Sequence, residues 1–371
     1  MSIRVLQIIP TLVRGGAEKQ LTLLATGLPD DEFDVHVGVL TRDGPYHSVL
    51  KEHQVPVTLL EKRWKVDPAA YFRLAQLIRR LRPDIVHTWI FAANCYGRQA
   101  ALRAGVKHLV AGERCVDRWK SWHELAIDRY LARHTQCIVT NSRGVRDFYA
   151  AHGIAADKFE IIPNGIEPFV ASNQQARPDL LKQLALPPAT RLIGAIGRLW
   201  PQKRYKDLMF AFELIGAARK DVQLLIVGGG PQHDSLMKYR SQMTFGDRIH
   251  LLGSRDDVPQ LLPHFDCFWL GSGYEGQSNS LMEAMSAGIP VVATDIPGNR
   301  DLVRSGEDGF LVPVADCGQF ARATNQLLAD RELARRLGDA ARERMRTEFS
   351  IKTMVRRYAT TYRRLVEEDS R

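Results

Sequence analysis

The chain has 371 residues and carries 51 lysines and arginines against 42 aspartates and glutamates, a formal net charge of +9. Hydrophobic residues make up 45% and charged residues 25%, which excludes a collagen, a disordered chain and a disulfide-stapled scaffold, while the length favours two domains. No apolar run reaches the roughly 18 residues that a membrane-spanning helix needs, and the N-terminal apolar stretch is too short for a signal peptide.

The five cysteines stand singly along the chain, with no Cys-x-x-Cys pair. This pattern favours free thiols in a reducing compartment over zinc or disulfides, so we expect a cytoplasmic protein. Basic residues cluster at 79–82 and 356–364, on helical patterns. Solvated helix faces explain these clusters, and the alternative is peripheral contact with the inner face of the membrane.

Short β-branched runs alternate with helical patterns along the whole chain. The strands predicted in the first half are 5–9, 35–40, 85–87, 109–111, 138–140 and 161–162, and the helices are 17–28, 69–81, 94–104, 121–133 and 142–152. The strands predicted in the second half are 192–196, 224–227, 249–252, 267–270, 291–294 and 310–312, and the helices are 206–217, 233–243, 256–264, 280–287, 318–329 and 331–349. This alternation predicts the α/β class, with parallel sheets covered by helices on both faces.

The alternation pauses in a polar stretch without a strand, which we interpret as a linker over 169–188. The predicted domains are therefore a first doubly wound domain over 1–168 and a second over 189–350. In such sheets ligands bind outside the carboxyl ends of the strands, so the loops that follow strands are the places to look for chemistry.

The stretch from Gly271 to Pro290 carries the strongest chemical signal. A predicted strand ends in a glycine-rich turn, and a polar loop leads into a helix that begins near Ser280. The start of a helix presents free backbone amides and a positive dipole end, which suits a phosphate. Glu275 lies in this loop and Glu283 in the first helical turn, so both carboxylates are expected at one rim. The alternative for Glu283 is a capping box with Ser280.

Two cations follow the predicted strand 192–196. Arg198 offers a planar fork and Lys203 a point charge, which together suit a diphosphate. The alternative is two basic residues in a solvent-exposed loop. Adjacent glycines, Gly15 and Gly16, follow the first strand and would let the backbone approach a ligand closely, although a plain tight turn is the alternative.

Several motifs are absent. The glycines at 228–230 do not continue into a dinucleotide-binding fingerprint, and the P-loop, Gly-x-Ser-x-Gly and His-Glu-x-x-His motifs do not occur. No Asp-x-Asp is present to hold a nucleotide-bound metal. We therefore expect no cofactor and no metal, with phosphate charge met by arginine, lysine and a helix end.

Taken together, these segments resemble the family 4 retaining glycosyltransferases of the GT-B fold. The resemblance covers nearly the whole chain and depends on the order and spacing of short motifs. These motifs are Gly15-Gly16-Ala17-Glu18, Asp84-Ile-Val-His87, Ile162-Pro163-Asn164-Gly165-Ile166, Gly197-Arg198 with Lys203, Val227-Gly-Gly-Gly-Pro231, Leu252-Gly253-Ser254-Arg255, Glu275-x7-Glu283, Ala287-Gly-Ile-Pro-Val-Val-Ala-Thr294 and Gly309-Phe-Leu-Val.

The resemblance implies two Rossmann-like domains that face each other across a cleft, with a final helix over 351–371 packing back on the N-terminal domain. It implies transfer of a hexose from a UDP- or GDP-linked sugar with retention of the anomeric configuration. Arg198 and Lys203 match the family's pair on the donor phosphates, and Glu275 matches the carboxylate beside the reacting carbon. The resemblance assigns donor binding to Gly15, Gly16, Arg255, Ser278, Asn279, Ser280, Leu281 and Glu283.

The chain also departs from the family pattern. Arg204 stands where the family usually has glycine after the lysine, which predicts a different loop backbone. Glu113 and Arg114 stand where many members carry a histidine, and with His87 they are the candidates for the acceptor side. A buried core histidine is the alternative for His87.

The resulting expectation is a cytoplasmic glycosyltransferase that acts on a cell-surface polysaccharide or lipid-linked glycan precursor, with no nucleic-acid partner. One alternative is a sugar-nucleotide epimerase or hydrolase on the same fold. The other is a catalytically silent binding module, which the intact Arg198, Lys203, Glu275 and Glu283 disfavour. The sequence leaves open the donor sugar and base, the acceptor, the linkage, the oligomeric state and whether the membrane is bound.

Overall fold

Two parallel sheets organise the residues that the computed structural model describes, 2–170 and 176–368. The chain divides into two units, one formed by the residues up to Gly165 with those from Phe349 onward, and the other by Ile166–Glu348. The predicted linker contains a short helix, and residues 171–175 of it lie outside the described residues. None of the helices within the described ranges combines the length and apolar character needed to cross a bilayer.

Within the described residues, the sheet of the first unit has seven strands, all paired in parallel, in the order β3-β2-β1-β4-β5-β6-β7. The strands are β1 (Ile3–Thr11), β2 (Phe33–Arg42), β3 (Val57–Leu59), β4 (Ile85–Trp89), β5 (His108–Glu113), β6 (Cys137–Thr140) and β7 (Phe159–Ile161). The helices up to this point are α1 (Gly16–Gly27), α2 (Tyr46–Glu52), α3 (Pro68–Leu81), α4 (Ile90–Arg103), α5 (Trp122–Ala132) and α6 (Arg143–Ala151).

The sheet of the second unit has six parallel strands within the described residues, in the order β10-β9-β8-β11-β12-β13. The strands are β8 (Arg191–Ile196), β9 (Val222–Val227), β10 (Ile249–Leu251), β11 (Cys267–Leu270), β12 (Val291–Thr294) and β13 (Phe310–Val312). The helices are α7 (Arg177–Gln183), α8 (Tyr205–Ala218), α9 (His233–Arg240), α10 (Val258–Leu261), α11 (Asn279–Ser286), α12 (Pro297–Arg300), α13 (Cys317–Ala329) and α14 (Arg331–Glu348), and α15 (Ile351–Glu368) completes the first unit.

The predicted α/β class with two parallel sheets is confirmed. Strands β4, β5 and β11 are buried along their whole length, as strands covered by helices on both faces must be. Strand order reverses between β1 and β4 in the first sheet and between β8 and β11 in the second. Loops at such a reversal splay apart, which is why ligands bind there.

The last helix, α15, contributes to the core of the first unit. Tyr358 and Tyr362 are fully buried in that core. Arg363 forms a two-bonded ion pair with Glu32, and Arg364 pairs with Glu160 at 2.6 Å. The basic cluster at 356–364 is therefore partly engaged with carboxylates of the same unit, so it is not simply a solvated face.

Candidate functional site

The loops after β8 and β11 lie side by side because these strands are neighbours in the sheet. The backbone N–H of Gly273 donates to the carbonyl of Gln202 at 2.9 Å, and the Gln202 side-chain amide donates to the carbonyl of Tyr274 at 2.8 Å. These two bonds join the loops side by side. Residues 72 positions apart in the sequence, Lys203 and Glu275, are thereby brought into contact.

Lys203 and Glu275 form the centre of this site. The lysine Nζ lies 2.6 Å from the Glu275 Oε1, and both side chains are nearly enclosed, with 14% and 10% exposed. The Ser272 hydroxyl donates to the same carboxylate oxygen at 2.8 Å. Burial and the Glu275 charge raise the pKa of Tyr205, whose hydroxyl donates to the Gly197 carbonyl at 2.9 Å. The site is a fixed carboxylate with a cation beside it.

Close backbone packing supports both loops. Gly228 has a φ of 148°, and a Cβ there would lie 2.0 Å from the Gly197 carbonyl oxygen. A Cβ on Gly298 would lie 1.8 Å from the carbonyl oxygen of Gly276. Only glycine fits at either position, because real Cβ atoms do not approach an oxygen so closely. Gly228 and Gly230 therefore serve close packing against the backbone of Gly197 and Leu199 in the Arg198 loop.

Helix α11 starts directly behind the Glu275 loop. Its N-cap is Ser278, whose hydroxyl lies 3.1 Å from that of Ser280, and Asn279, Ser280 and Leu281 are its first three residues. Glu283 is the fifth residue of the helix, half-buried and beyond the first turn. A capping box needs the acid three residues after the cap, so the capping-box alternative for Glu283 is wrong, as is its placement in the first turn.

The contacts of the two predicted arginines, Arg198 and Arg255, lie outside the Lys203–Glu275 pair. Arg198 is exposed, and its guanidinium lies over the Trp200 ring, 5.6 Å from the centroid. Arg255 pairs with Asp257 through two bonds of 2.8 and 2.5 Å, which lower the pKa of Asp257. Arg198 is thus the more exposed of the two cations, whereas Arg255 is paired with Asp257.

Arg204 takes the left-handed backbone conformation, with φ 52° and ψ 42°. Glycine adopts this region readily, whereas other L-residues do so at a cost of about 1 kcal/mol. The arginine therefore keeps the conformation that a glycine favours, and the predicted change of loop backbone is not seen in its φ and ψ. Its side chain bonds to Asp207 at 2.6 Å, away from Lys203.

In the first unit, Gly15 is the N-cap of α1 and Gly16 its first residue. The Glu18 side chain folds back over this turn and accepts a hydrogen bond from the Thr11 hydroxyl at 2.8 Å. A Cβ on Gly15 would lie 2.1 Å from a Glu18 carboxylate oxygen. Because that oxygen is the far end of a flexible side chain and Gly15 has an extended φ of −150°, a shift of Glu18 could make room for a side chain, and the choice between close ligand approach and a plain turn stays open.

His87 lies in the middle of β4 and not at the end of a strand, which corrects the predicted position. Its side chain is fully buried, and Nδ1 lies 2.6 Å from the Tyr362 hydroxyl. The ring lies 4.7 Å from the ring of Trp89 and 5.6 Å from that of Tyr358. The structure therefore agrees with the alternative of a core histidine, because the ring is buried among aromatic side chains.

Burial and the nearby Arg114 charge lower the pKa of His87 to about 3, so the folded protein holds a neutral ring. The unfolded chain binds a proton below about pH 6.5, which the folded chain does not until about pH 3. Stability should therefore fall by about 2 kcal/mol between pH 7.5 and 5 from this group alone. His87→Gln should remove that share of the loss of stability measured by urea unfolding. The shares of His36 and His250, whose pKa values burial also lowers, should remain. An equal loss in both proteins would contradict this assignment.

Glu113 is engaged in a buried network beneath α5. Its carboxylate accepts from Asn94 at 2.8 Å and from Tyr149 at 2.9 Å, and it lies 3.6 Å from Lys120 Nζ. Burial opposes the charge on Lys120, but the surrounding carboxylates raise its pKa overall. Burial and the Glu113 charge raise the pKa of Asp128 to about 6. Glu113 therefore stabilises the interior, and its acceptor-side role stays a prediction.

Arg114 is 8% exposed and is surrounded by neutral groups. It donates to the Tyr358 hydroxyl at 3.1 Å and to the Asn164 side chain, and its guanidinium lies 5.1 Å from the Trp89 ring centroid. A buried guanidinium among neutral acceptors keeps its full positive charge. Of the three acceptor-side candidates, Arg114 is the one that could still attract an anion.

Sequence reasoning did not find Gln202 and Ser272, which position the central pair. Both lie within stretches that the sequence singled out, but a neutral side chain in a loop gives no signal of its own. Their neighbours Lys203 and Glu275 did stand out, because charged residues after buried strands are conspicuous. Gln202 and Ser272 therefore act by positioning Lys203 and Glu275, which the sequence did indicate.

Comparisons with known proteins agree with this architecture. A family model described as Glycosyltransferase Family 4 matches residues 14–168, and one described as Glycosyl transferases group 1 matches residues 176–344. The chain is 28% identical over 328 residues to the UDP-Gal:alpha-D-GlcNAc-diphosphoundecaprenol alpha-1,3-galactosyltransferase of Escherichia coli, covering 82% of this chain and 83% of that protein. It is 26% identical over 312 residues to the GDP-mannose-dependent alpha-(1-6)-phosphatidylinositol monomannoside mannosyltransferase of Mycobacterium tuberculosis, covering 79% of each.

Among solved structures, that of Anabaena Alr3699/HepE in complex with UDP and glucose superposes with a TM-score of 0.85. It is 23% identical and covers 97% of this chain and 99% of that one, a likeness that shows the fold. The two units and these likenesses define a glycosyltransferase with the GT-B fold. The chain belongs to the family 4 glycosyltransferases and is of the hexosyltransferase type, so the predicted family and enzyme class are confirmed.

Proposed function

We propose that this glycosyltransferase takes a UDP- or GDP-linked sugar as donor and transfers the sugar, with retention, to a glycan precursor carried on a lipid. The observation that carries the donor site is the Lys203–Glu275 pair, 2.6 Å apart and nearly enclosed beside the start of α11. The two relatives named above use UDP-galactose and GDP-mannose by name, and both act on lipid-linked or lipid substrates.

The diphosphate would bind where cations and backbone amides converge. The first amides of α11, from Asn279 to Leu281, present partial positive charge to an anion. Lys203 supplies a full charge from the neighbouring loop, and the exposed Arg198 is free to swing from Trp200 towards a phosphate. These groups stabilise the negative charge that develops on the leaving diphosphate, so we propose that no metal ion is required.

Glu275 would contact the sugar rather than the phosphate. In this structure its carboxylate accepts from Lys203 and Ser272 through the same oxygen, Oε1. The second oxygen is thus available to accept from a sugar hydroxyl near the reacting carbon. A carboxylate held in this way would stabilise positive charge on the ring as the diphosphate leaves. The acceptor oxygen would bond to the anomeric carbon on the face from which the diphosphate departs, as the bond from that carbon to the diphosphate oxygen breaks and the acceptor proton passes to the departing phosphate. Substitution on the same face gives retention without a covalent enzyme intermediate.

The remaining donor contacts follow from position. Glu283, one and a half turns into α11, would bind the ribose hydroxyls, and Arg255 would lie near the base mainly through its backbone. A donor contact for Gly15 and Gly16 stays a prediction of the family resemblance. For the acceptor side, the buried positive charge of Arg114 favours an acidic or phosphorylated group over a neutral sugar.

Thermal unfolding with UDP, GDP, ADP and their sugar conjugates tests the donor. A ligand at about 100 times its Kd should stabilise the protein by roughly 2.7 kcal/mol. We expect UDP or GDP, but not ADP, to raise the unfolding temperature. We also expect release of the sugar from its nucleotide to require a lipid-diphosphate acceptor. Consumption of the donor without any acceptor would instead identify an epimerase or hydrolase. A nucleotide shift with no turnover on any acceptor would identify a silent binding module.

A further inference from the structure

The exposed side of α5 and the loop before it form an aromatic surface of the first unit. Four large apolar side chains there are turned to solvent, Trp119, Trp122, Ile127 and Tyr130, at 59%, 78%, 39% and 57% exposure. Trp122, Tyr130 and Arg133 recur at helical spacing along one side of the helix. We call this surface, residues 118–133, the α5 face.

On the α5 face the acidic side chains are largely buried, whereas the arginines are exposed to solvent. Its two acids, Glu124 and Asp128, and the adjacent Asp117 point inward: their side chains are 14%, 2% and 17% exposed. Asp128 is bound by Arg98 at 3.1 Å and by Lys120 at 2.8 Å. The three arginines of the same segment, Arg118, Arg129 and Arg133, are exposed. The outer surface is therefore positive as well as aromatic.

An open groove extends this surface. It measures about 480 Å³ and is lined in part by Arg129, Tyr130, Arg133, Ile154 and Lys158. Cationic and apolar groups thus meet within one concave site. This combination suits a ligand with an anionic head and an apolar body.

The α5 face is also held rigidly from within. Trp119 packs edge-on against Phe91, with ring centroids 5.4 Å apart. A capping box between Ser121 and Glu124 fixes the start of the helix. Beneath it, the Asp128 network pins the inner side to Arg98. The tryptophans are therefore displayed on a preformed surface, so that docking would require little ordering.

We propose that the α5 face docks on a bilayer surface rich in anionic phospholipids. Tryptophan and tyrosine favour the headgroup region, where one end of the ring is apolar and the other is hydrated. Each arginine near an anionic surface adds attraction, and together with buried apolar area this gives salt-dependent peripheral binding. The biological purpose of this docking rests on the proposed lipid-linked acceptor. The α5 face is nevertheless a different surface from the donor site, and its docking is tested without any transfer reaction.

The test is flotation of the full chain with vesicles of phosphatidylcholine alone or with about 30% phosphatidylglycerol, at low and at raised salt. Wild type should bind the anionic vesicles at least about tenfold better, and raised salt should release it. Trp119→Ala with Trp122→Ala, and separately Arg129→Glu with Arg133→Glu, should each lower the binding at least about tenfold.

Two matched double variants serve as controls. Phe210→Ala with Leu214→Ala removes two apolar groups exposed at 47% and 41% on α8, and Arg356→Glu with Arg357→Glu reverses an exposed basic pair on α15. Both should bind vesicles within about twofold of wild type. Nucleotide-induced thermal shifts should survive in all four variants, which shows that they are folded and separates this test from the donor site.

Three results would overturn the proposal. One is equal binding to neutral and anionic vesicles, and another is equal loss of binding in the control variants. The third is a wild-type dimer in sedimentation equilibrium that the tryptophan variant turns into a monomer, since the α5 face would then cover a second copy of the chain. A wild-type monomer with anionic-vesicle binding that depends on the α5 face supports it.

Discussion

Replacing Lys203 with alanine is expected to lower kcat/KM by about 10²- to 10³-fold, the usual loss when one preorganised group facing developing charge is removed. Lys203 is the enclosed cation of the site, held 2.6 Å from Glu275. Removal therefore takes away charge from the leaving diphosphate and leaves a nearly buried carboxylate without its cation. The thermal shift with UDP or GDP should shrink with the activity, because in the proposed site the lysine would contact the phosphates in both states.

Lys206→Ala is the matched control for this prediction. Lys206 lies three residues further along, is exposed, and holds its Nζ 5.5 Å from the Tyr239 ring centroid. We expect the kcat/KM of the Lys206→Ala variant, and its thermal shift with UDP or GDP, to remain within about twofold of wild type, as for an exposed surface charge. A Lys203 variant that keeps both its nucleotide shift and its activity would refute the donor-phosphate role. Lys203→Arg should restore part of the nucleotide shift, since the charge is retained with different geometry.

The predictable part of the fold follows from periodicity. Fully buried strands such as β5 and β11 read as short apolar runs, and the helices between them have regular apolar spacing. Strand β3 was missed because it has three residues, all partly exposed, at the edge of its sheet. Helix α2 was missed because seven residues with one buried position give no period.

In the candidate site, too, single residues could be predicted from the sequence, whereas contacts between distant segments could not. Glu275 and Lys203 could each be proposed from a charged residue in a loop after a buried strand. Their contact could not, because it depends on β8 and β11 being neighbours and on Gln202 joining the two loops. The predicted first residue of α11 was one residue late and its predicted cap two residues late, since Ser278 and Ser280 are both acceptable caps by residue type.

The positions of His87 and Glu113 were harder to predict for a different reason. A polar residue in an apolar strand signals either a functional site or a satisfied interior group. The sequence could not distinguish them, because the partners come from distant segments. Tyr362 of α15 lies 275 positions from His87, and Tyr149 lies 36 positions from Glu113. Both side chains prove to be tied to other buried groups.

Glu275→Gln should separate sugar recognition from phosphate recognition. The glutamine carbonyl can still accept from Ser272 and Lys203, so the fold of the loop should survive with a stability change within about 1 kcal/mol. The negative charge beside the reacting carbon is lost, and kcat/KM should fall by about 10²- to 10³-fold. Binding of UDP or GDP alone should remain within about twofold of wild type, because neither contains the sugar.

Glu283→Gln should show the opposite pattern, a loss of binding of the free nucleotide. Its proposed partner is the ribose, so this variant should weaken the free nucleotide and the nucleotide-sugar equally. Isothermal titration with a nucleoside diphosphate and with its sugar conjugate measures both variants on one scale. If Glu275→Gln weakened the free nucleoside diphosphate as much as Lys203→Ala does, Glu275 would act mainly by holding Lys203 in place. Loss of turnover with intact nucleotide binding would instead place the carboxylate at the sugar, where the single oxygen shared by Lys203 and Ser272 leaves the other for a hydroxyl.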